Sequence, residues 1–308
     1  MESETQNKTI YNSVTVRGIR WLLLFVFFLK FLVPTLLEMK WESFFGTPFP
    51  DYISILSIQI LAVAIPGVVF LYLSTANFKE TLKLKPLNFG RGLMCFLIGL
   101  TAQSLASVLN VPMLMYVAAK HGELPALAMG TPQTYGELLW GIVFIAFIPA
   151  IFEELLMRGI VLSGTQPKGY RASLIIGGLY FALLHNQYEN IAGHFFLGFL
   201  LCYIVWMTES VYGGIIAHFA FNLSGMLHSF WVNAVADSMP WAASERFHII
   251  ITVVSVLLFF LFLGTINRKR VKRNRSAMLW WQIIRAVLNL PVIIIILGYL
   301  LFQAVKYI

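Results

Sequence analysis

Two adjacent carboxylates and an arginine, Glu153, Glu154 and Arg158, stand at the end of an apolar run covering residues 138–150. An ionisable side chain in a membrane-spanning segment is costly, and by default it marks a functional site that faces the bundle interior with a partner. Glu154 and Arg158 are four residues apart, so on a helix they share a face and can pair. Glu153 then points about 100° away, because an α-helix turns once in about 3.6 residues. One glutamate can be held while its neighbour stays free to do chemistry. Two further sets follow along the chain. His185 closes the sequence Phe181-Ala-Leu-Leu-His185. His218 opens His218-Phe-Ala-Phe-Asn222, where the i, i+4 spacing puts an imidazole and an amide on one helical face. Lys30, His194 and His228 also lie in apolar runs. Taken singly, each reads equally well as an interhelical hydrogen bond.

The elements that must position these groups are membrane helices. Of 308 residues, 59% are hydrophobic and only 12% charged, and the mean hydropathy is +0.78; in soluble domains about a quarter of residues are charged. The apolar runs are long and continuous, unlike the alternating strands of outer-membrane barrels. Nine runs approach the length of about 20 residues needed to span: 21–37, 53–73, 93–117, 138–157, 173–187, 192–207, 211–231, 248–266 and 280–302. The fold class is therefore all-α, a polytopic transmembrane helical bundle of eight core helices plus a ninth at the C-terminus. Runs 173–187 and 192–207 are short and close together, which predicts a tight helical hairpin that stops short of the full bilayer. Pro66, Pro112, Pro149 and Pro291 fall inside runs, where each removes a backbone donor and can kink its helix. Gly177, Gly178, Gly193, Gly198, Gly213 and Gly214 suit close helix packing.

The formal charge is +8 and the pI about 9.5. In a membrane protein such an excess marks cytoplasmic loops rather than nucleic-acid binding. Basic clusters at Arg17 and Arg20, at Lys79 to Arg91, at Arg158 to Arg171 and across 268–275 mostly alternate with acidic or neutral connections. The positive-inside rule then places the N-terminus in the cytoplasm of a multi-pass cell-membrane protein. The connection at Glu209 has no basic residue and is the weak point of that alternation. The run 268–275 reads as an orientation signal, or as a contact for anionic lipid. Cys95 and Cys202 both sit in apolar runs and suggest neither a disulfide framework nor a metal motif. Residues 1–15 are polar and show no signal-peptide pattern.

A depth comparison links the motifs. With helix ends taken near Ser163, Leu174 and Ser210, Glu153, His185 and His218 lie about 15, 16 and 12 Å below the cytoplasmic surface, at about 1.5 Å per residue. His194, counted from the outer side of the next helix, falls at another level. The pattern Glu153-Glu154-Leu-Leu-Met-Arg158, then Phe181 to His185, then His218 to Asn222, on consecutive apolar helices, resembles the CPBP intramembrane proteases, the CAAX prenyl protease and bacteriocin-processing (Abi) family. The resemblance covers roughly residues 136–230. It divides a single membrane-embedded unit into N-terminal helices (1–92), a CPBP catalytic core (93–231) and C-terminal helices (232–308). The ninth run exceeds the eight-helix core that the resemblance implies.

The resemblance implies hydrolysis of a peptide bond in a membrane-bound peptide or protein, with a prenylated CAAX-type substrate as the narrower case, and with the lipid bilayer, and no nucleic acid, as a further partner. The residues suit that task. Glu153 with His185 could orient a water and take its proton as general base. His218 and Asn222 could supply two donors to the oxyanion. Glu154 paired with Arg158 would be structural, and Phe181 would pack beside the His185 imidazole. A competing chemistry has Glu153, His185 and His218 hold Zn²⁺ with an open position for water. No HExxH helix signals zinc independently, and Asn222 suits an oxyanion hole better than a metal shell, so a reading without cofactor is preferred. A transporter or a non-proteolytic immunity or scaffold protein on the same fold is the second class of function; no internal repeat of the transporter kind is evident.

Overall fold

In lipid, a long apolar segment satisfies its backbone groups as a helix, and the regular structure in the computed structural model is helical throughout the residues it describes: 14–48, 50–122, 131–235, 239, 241, 244–266 and 289–306. In chain order the helices are α1 (Val16–Phe45), α2 (Asp51–Leu73), the short α3 (Phe78–Thr81), α4 (Phe89–His121), α5 (Tyr135–Lys168), α6 (Tyr170–His185), α7 (Ile191–Thr208), α8 (Val211–Val235), α9 (Glu245–Ile266) and α10 (Leu290–Lys306). Local sequence marks their ends. Thr15, Asn88 and Thr134 each accept a hydrogen bond from the backbone N–H three residues on, capping α1, α4 and α5. Gly46 and Gly122 close α1 and α4 at φ of +62° and +81°, a backbone state in which a Cβ would be strained.

Seven helices of the described residues are long and apolar enough to cross a membrane: α1, α2, α4, α5, α7 with its leading turn, α8 and α9. The protein is a multi-pass membrane protein. The count of eight plus one is not reached, because two expected spans are shorter. The run at 173–187 forms α6, which has 16 residues and is about 24 Å long against a hydrocarbon core of about 30 Å. In α10 the apolar part is Leu290–Leu301. The basic run 268–275, together with Trp280 and Trp281, lies outside the described residues.

The prolines act locally. Segments Ile58–Ala64 of α2 and Ile142–Phe147 of α5 are π-helical, and each leads into an α-helical segment whose second residue is Pro66 or Pro149. Proline lacks an N–H and its ring crowds the carbonyl of the preceding turn; a widened turn moves that carbonyl aside without ending the helix. Pro112 stays inside α4, and so does Pro34 inside α1, which the run-by-run reading passes over. Pro291 is the second residue of α10, where its N–H is not needed.

Small residues set how closely the helices approach. A Cβ on Gly198 of α7 would lie 2.9 Å from the Gly178 Cα of α6 and 2.7 Å from the Phe181 Cβ, so the α6–α7 pair packs backbone to backbone. The core between helices holds Ile19 and Phe27 of α1, Met157 and Ile160 of α5, Tyr180 and Phe181 of α6, and Leu201 of α7. Large apolar side chains of α2 and α9, such as Val68, Tyr72, Leu257 and Leu261, are exposed, as lipid-facing surfaces require.

One end of the bundle is fastened by polar contacts. Lys83, between α3 and α4, donates to the Ser163 hydroxyl of α5, and Ser163 donates to the Thr81 carbonyl at 2.7 Å. The Val211 N–H that starts α8 donates to the Lys83 carbonyl at 3.1 Å, and Lys85 pairs with Glu209 at 2.8 Å. Burial pushes the Lys83 ammonium down to about 8. The Glu209 connection, which carries no basic residue of its own, is thus at the same end as the Lys79–Arg91 cluster.

The tightest helix contact gives a test. A Cβ on Gly99 would sit 2.0 Å from the Ala217 carbonyl oxygen of α8, so Gly99→Ala forces α4 and α8 apart. Overpacking of this kind costs about 1–3 kcal/mol or more. Gly264→Ala in α9, where nothing lies within 4 Å, should leave stability equal or slightly higher. Thermal melts in one detergent check both; equal Tm values for the two variants would contradict this packing.

Candidate functional site

Glu153 and Glu154 end the α-helical segment Ile148–Glu154 of α5, and Arg158 lies in the π-helical segment Leu155–Val161 that follows. The two glutamates have different surroundings. Arg158 donates to Glu154 Oε1 at 2.6 Å, and both side chains are 0% exposed. His218 of α8 contacts the same oxygen through Nδ1 at 2.9 Å. Arg158 also donates to the Gly198 carbonyl of α7 at 3.2 Å and lies 4.6 Å from the Phe181 ring centroid, a cation–π contact. A Cβ on Gly214 would be 2.7 Å from Glu154 Oε2, so glycine is what lets α8 approach the carboxylate.

Glu153 turns to the other side. Its Oε2 is 3.5 Å from His185 Nε2. Its Oε1 accepts from Gln59 Nε2 of α2 at 2.9 Å, and Lys30 Nζ of α1 is 3.9 Å from that oxygen. The His185 Nδ1 is 2.7 Å from the Phe181 carbonyl. A carbonyl can only accept, so Nδ1 carries a proton and Nε2 is the nitrogen presented to Glu153. The Phe181 ring packs on His185 with centroids 4.3 Å apart and on His218 at 5.6 Å. A small cavity with room for about one water adjoins Glu153 and His185, walled by Val26, Lys30, Val63, Met157 and Leu184.

The structure therefore brings Glu153, Glu154, Arg158, Phe181, His185 and His218 to one place. Asn222 lies one turn beyond His218 and donates through Nδ2 to the Ile145 carbonyl of α5 at 3.1 Å, which leaves its second amide hydrogen. One expectation is corrected. His194 is not at another level; its ring stacks on His185 at 4.2 Å and 21°. The reason is the short hairpin. The α6–α7 turn lies within the bundle, where Gly193 N–H donates to Asn110 Oδ1 at 2.7 Å, and Asn110 is eleven residues before the end of α4. The last residue of α6 and the first turn of α7 consequently share one level. Lys30 is at the site as well, and Gln59 is the residue that motif reasoning missed. The available signal was an amide within the apolar run 53–73. His228 instead faces His248 of α9 at 5.2 Å, away from this cluster.

A zinc ion would need Glu153, His185 and His218 to converge. His218 contacts Glu154 through Nδ1, which leaves its Nε2 as the nitrogen a metal would use, and among the described residues no three His, Cys, Asp or Glu side chains are grouped to hold a metal ion.

A buried carboxylate facing an imidazole, in the interior of a membrane bundle, defines a membrane-embedded protein with a polar site. Residues 135–224 match the family model described as type II CAAX prenyl endopeptidase Rce1-like. This match over part of the chain supports the resemblance to the CPBP family. The match begins with α5 and ends just past Asn222, so it contains all three motifs. No curated protein and no solved structure matches the chain.

The Glu154–Arg158 pair makes a stability prediction. Taking one charge from a fully buried pair leaves the other uncompensated, which costs about 3–5 kcal/mol. Glu154→Gln should lower Tm and the yield of folded protein sharply, and Glu154→Gln/Arg158→Met should recover part of both. Differential scanning fluorimetry in detergent measures this; a single variant as stable as the wild type would contradict the pairing.

Proposed function

We propose that the protein is an intramembrane endopeptidase that hydrolyses a peptide bond of a membrane-associated substrate with a water activated by Glu153. The observation that carries this reading is the unequal treatment of the two glutamates. Glu154 is occupied by Arg158 and His218, while Glu153 directs one oxygen at His185 beside a cavity about the size of one water. A prenylated CAAX-type peptide is the narrower substrate, in keeping with the description of the matching family model.

In this mechanism a water lies between Glu153 Oε2 and His185 Nε2. Glu153 takes its proton as the water oxygen attacks the scissile carbonyl carbon. The carbonyl oxygen becomes an oxyanion. It accepts from the amide N–H of Asn222 that the Ile145 carbonyl leaves free and, when both ring nitrogens of His218 carry a proton, from its Nε2–H. The proton on Glu153 then passes to the leaving amine, the C–N bond breaks, and one water is consumed per bond cleaved, giving a carboxylate and an amine. No metal is used in these steps. A burial-restricted site excludes bulk water, so each of these electrostatic interactions is stronger than in solution.

Glu153→Gln keeps size and shape and removes the base. It should melt like the wild type and lose turnover by about 10²–10⁴ or more, measured per folded molecule with lipidated and transmembrane peptides in liposomes. Wild-type turnover should survive exhaustive chelation. Loss of activity that stoichiometric Zn²⁺ restores would transfer the reading to a zinc protease. A wild type that cleaves none of these peptides would favour a non-proteolytic membrane protein.

Orientation follows from the end of the bundle where Lys83, Lys85, Ser163 and Val211 meet. That end holds the basic clusters, so we propose that it and the N-terminus face the cytoplasm. In a background free of Cys95 and Cys202, a single cysteine replacing Lys168 should be protected from impermeant maleimide in intact cells. Labelling from outside would reverse the orientation.

A further inference from the structure

We infer that Gln59, on α2, is a positioning residue that selects which oxygen of Glu153 does the chemistry, so that the N-terminal helices outside the family-matched segment are a working part of the site. The inference rests on the reading of Glu153 as the base. Gln59 and Glu153 are separated by 94 positions in the chain, and the Nε2–Oε1 hydrogen bond between them is 2.9 Å. The residues are 4% and 8% exposed. A buried primary amide in an apolar helix is costly unless hydrogen-bonded. The neighbours of Gln59 in α2 are Ile58, Ile60, Leu61, Ala62 and Val63, so packing alone would be better served by an aliphatic side chain. Its Oε1 is buried and has no hydrogen-bond partner among the described residues. The bond to Glu153 is therefore the polar contact that repays burial of this side chain.

The geometry assigns the two carboxylate oxygens separate tasks. Oε1 receives the Gln59 N–H, with the Lys30 ammonium at 3.9 Å, beyond hydrogen-bond length. Oε2 is left facing His185 Nε2 at 3.5 Å. Gln59 thus fixes the carboxylate plane, and Lys30 adds charge without fixing direction. The placement depends on the backbone of α2. Gln59 is the second residue of the π-helical segment that precedes Pro66, and π-helical turns inside α-helices recur at functional sites. A carboxylate without the amide could rotate and present either oxygen, and misplacement of a catalytic group by about 1 Å can cost 10²-fold.

Gln59→Met keeps the length of the side chain and removes the donor. In the full-length protein, reconstituted in liposomes, it should lower kcat by about 10- to 100-fold with KM and Tm nearly unchanged. A purely structural tie would instead lower Tm and leave kcat per folded molecule as in the wild type, and that result would overturn the inference. A second readout does not need turnover. Dicyclohexylcarbodiimide modifies protonated carboxyl groups in apolar surroundings. Without the amide donor the Glu153 anion is less supported, so Glu153 of Gln59→Met should be modified several-fold faster at neutral pH than in the wild type, with Glu153→Gln as the blank. Equal modification rates would overturn the inference. If Gln59→Met fails to fold, Gln59→Leu, which also lacks the donor and adds no carboxyl group, should show the same acceleration. A wild type with no peptidase activity would remove the proteolytic reading, while the labelling comparison would still decide whether Gln59 governs Glu153.

Discussion

The buried ion pair between Glu154 and Arg158 constrains the rest of the molecule. Each charge alone would cost several kcal/mol to take out of water, and mutual attraction repays this only when further hydrogen bonds complete the pair. Here they come from three other helices or their residues. The Gly198 carbonyl of α7 accepts from Arg158, His218 of α8 contacts Glu154, and the Phe181 face of α6 lies under the guanidinium. To make those contacts, α5, α6, α7 and α8 must come together around one point. The glycines follow from this: Gly214 admits the carboxylate, and Gly198 exposes its carbonyl where α6 and α7 pack closely.

The same requirement explains why one glutamate is available and the other is not. Adjacent residues on a helix point in directions about 100° apart, so the pair that binds Glu154 into the four-helix contact turns Glu153 toward α1, α2 and the end of α6. There it meets a helix terminus rather than a helix side. His185 is the last residue of α6, and its Nδ1 is held by the Phe181 carbonyl four residues earlier, one turn back along the helix. The helix end thereby sets the ring's tautomer and aims Nε2 at Glu153.

The matched family segment ends within α8, yet the carboxylate it contributes is bonded from outside it. Gln59 and Lys30 approach Glu153 from α2 and α1, and the cavity wall includes Val26 and Val63 from the same helices. The polar fastening at Lys83, Ser163 and Val211 holds the connection after α2 against α5 and α8, so the N-terminal helices and the matched segment share a fixed relation at that end.

The chain by itself determined the helical membrane class, through apolar runs whose backbone has no other way to be satisfied in lipid, and the membership of the ion pair, because i, i+4 spacing leaves Glu154 and Arg158 on one face whatever surrounds them. It also made Glu153, His185 and His218 recognisable, since polar groups are conspicuous in apolar runs. Tertiary structure decided the partners. His218 joins Glu154 rather than Glu153, because α8 approaches through Gly214 on the Glu154 side. His194 stacks on His185, because the α6–α7 turn lies inside the bundle, a depth that counting residues from assumed surfaces could not supply. Gln59 reaches Glu153 across 94 positions, and such a contact leaves no spacing in the sequence; it exists only because a widened turn ahead of Pro66 packs α2 against α5.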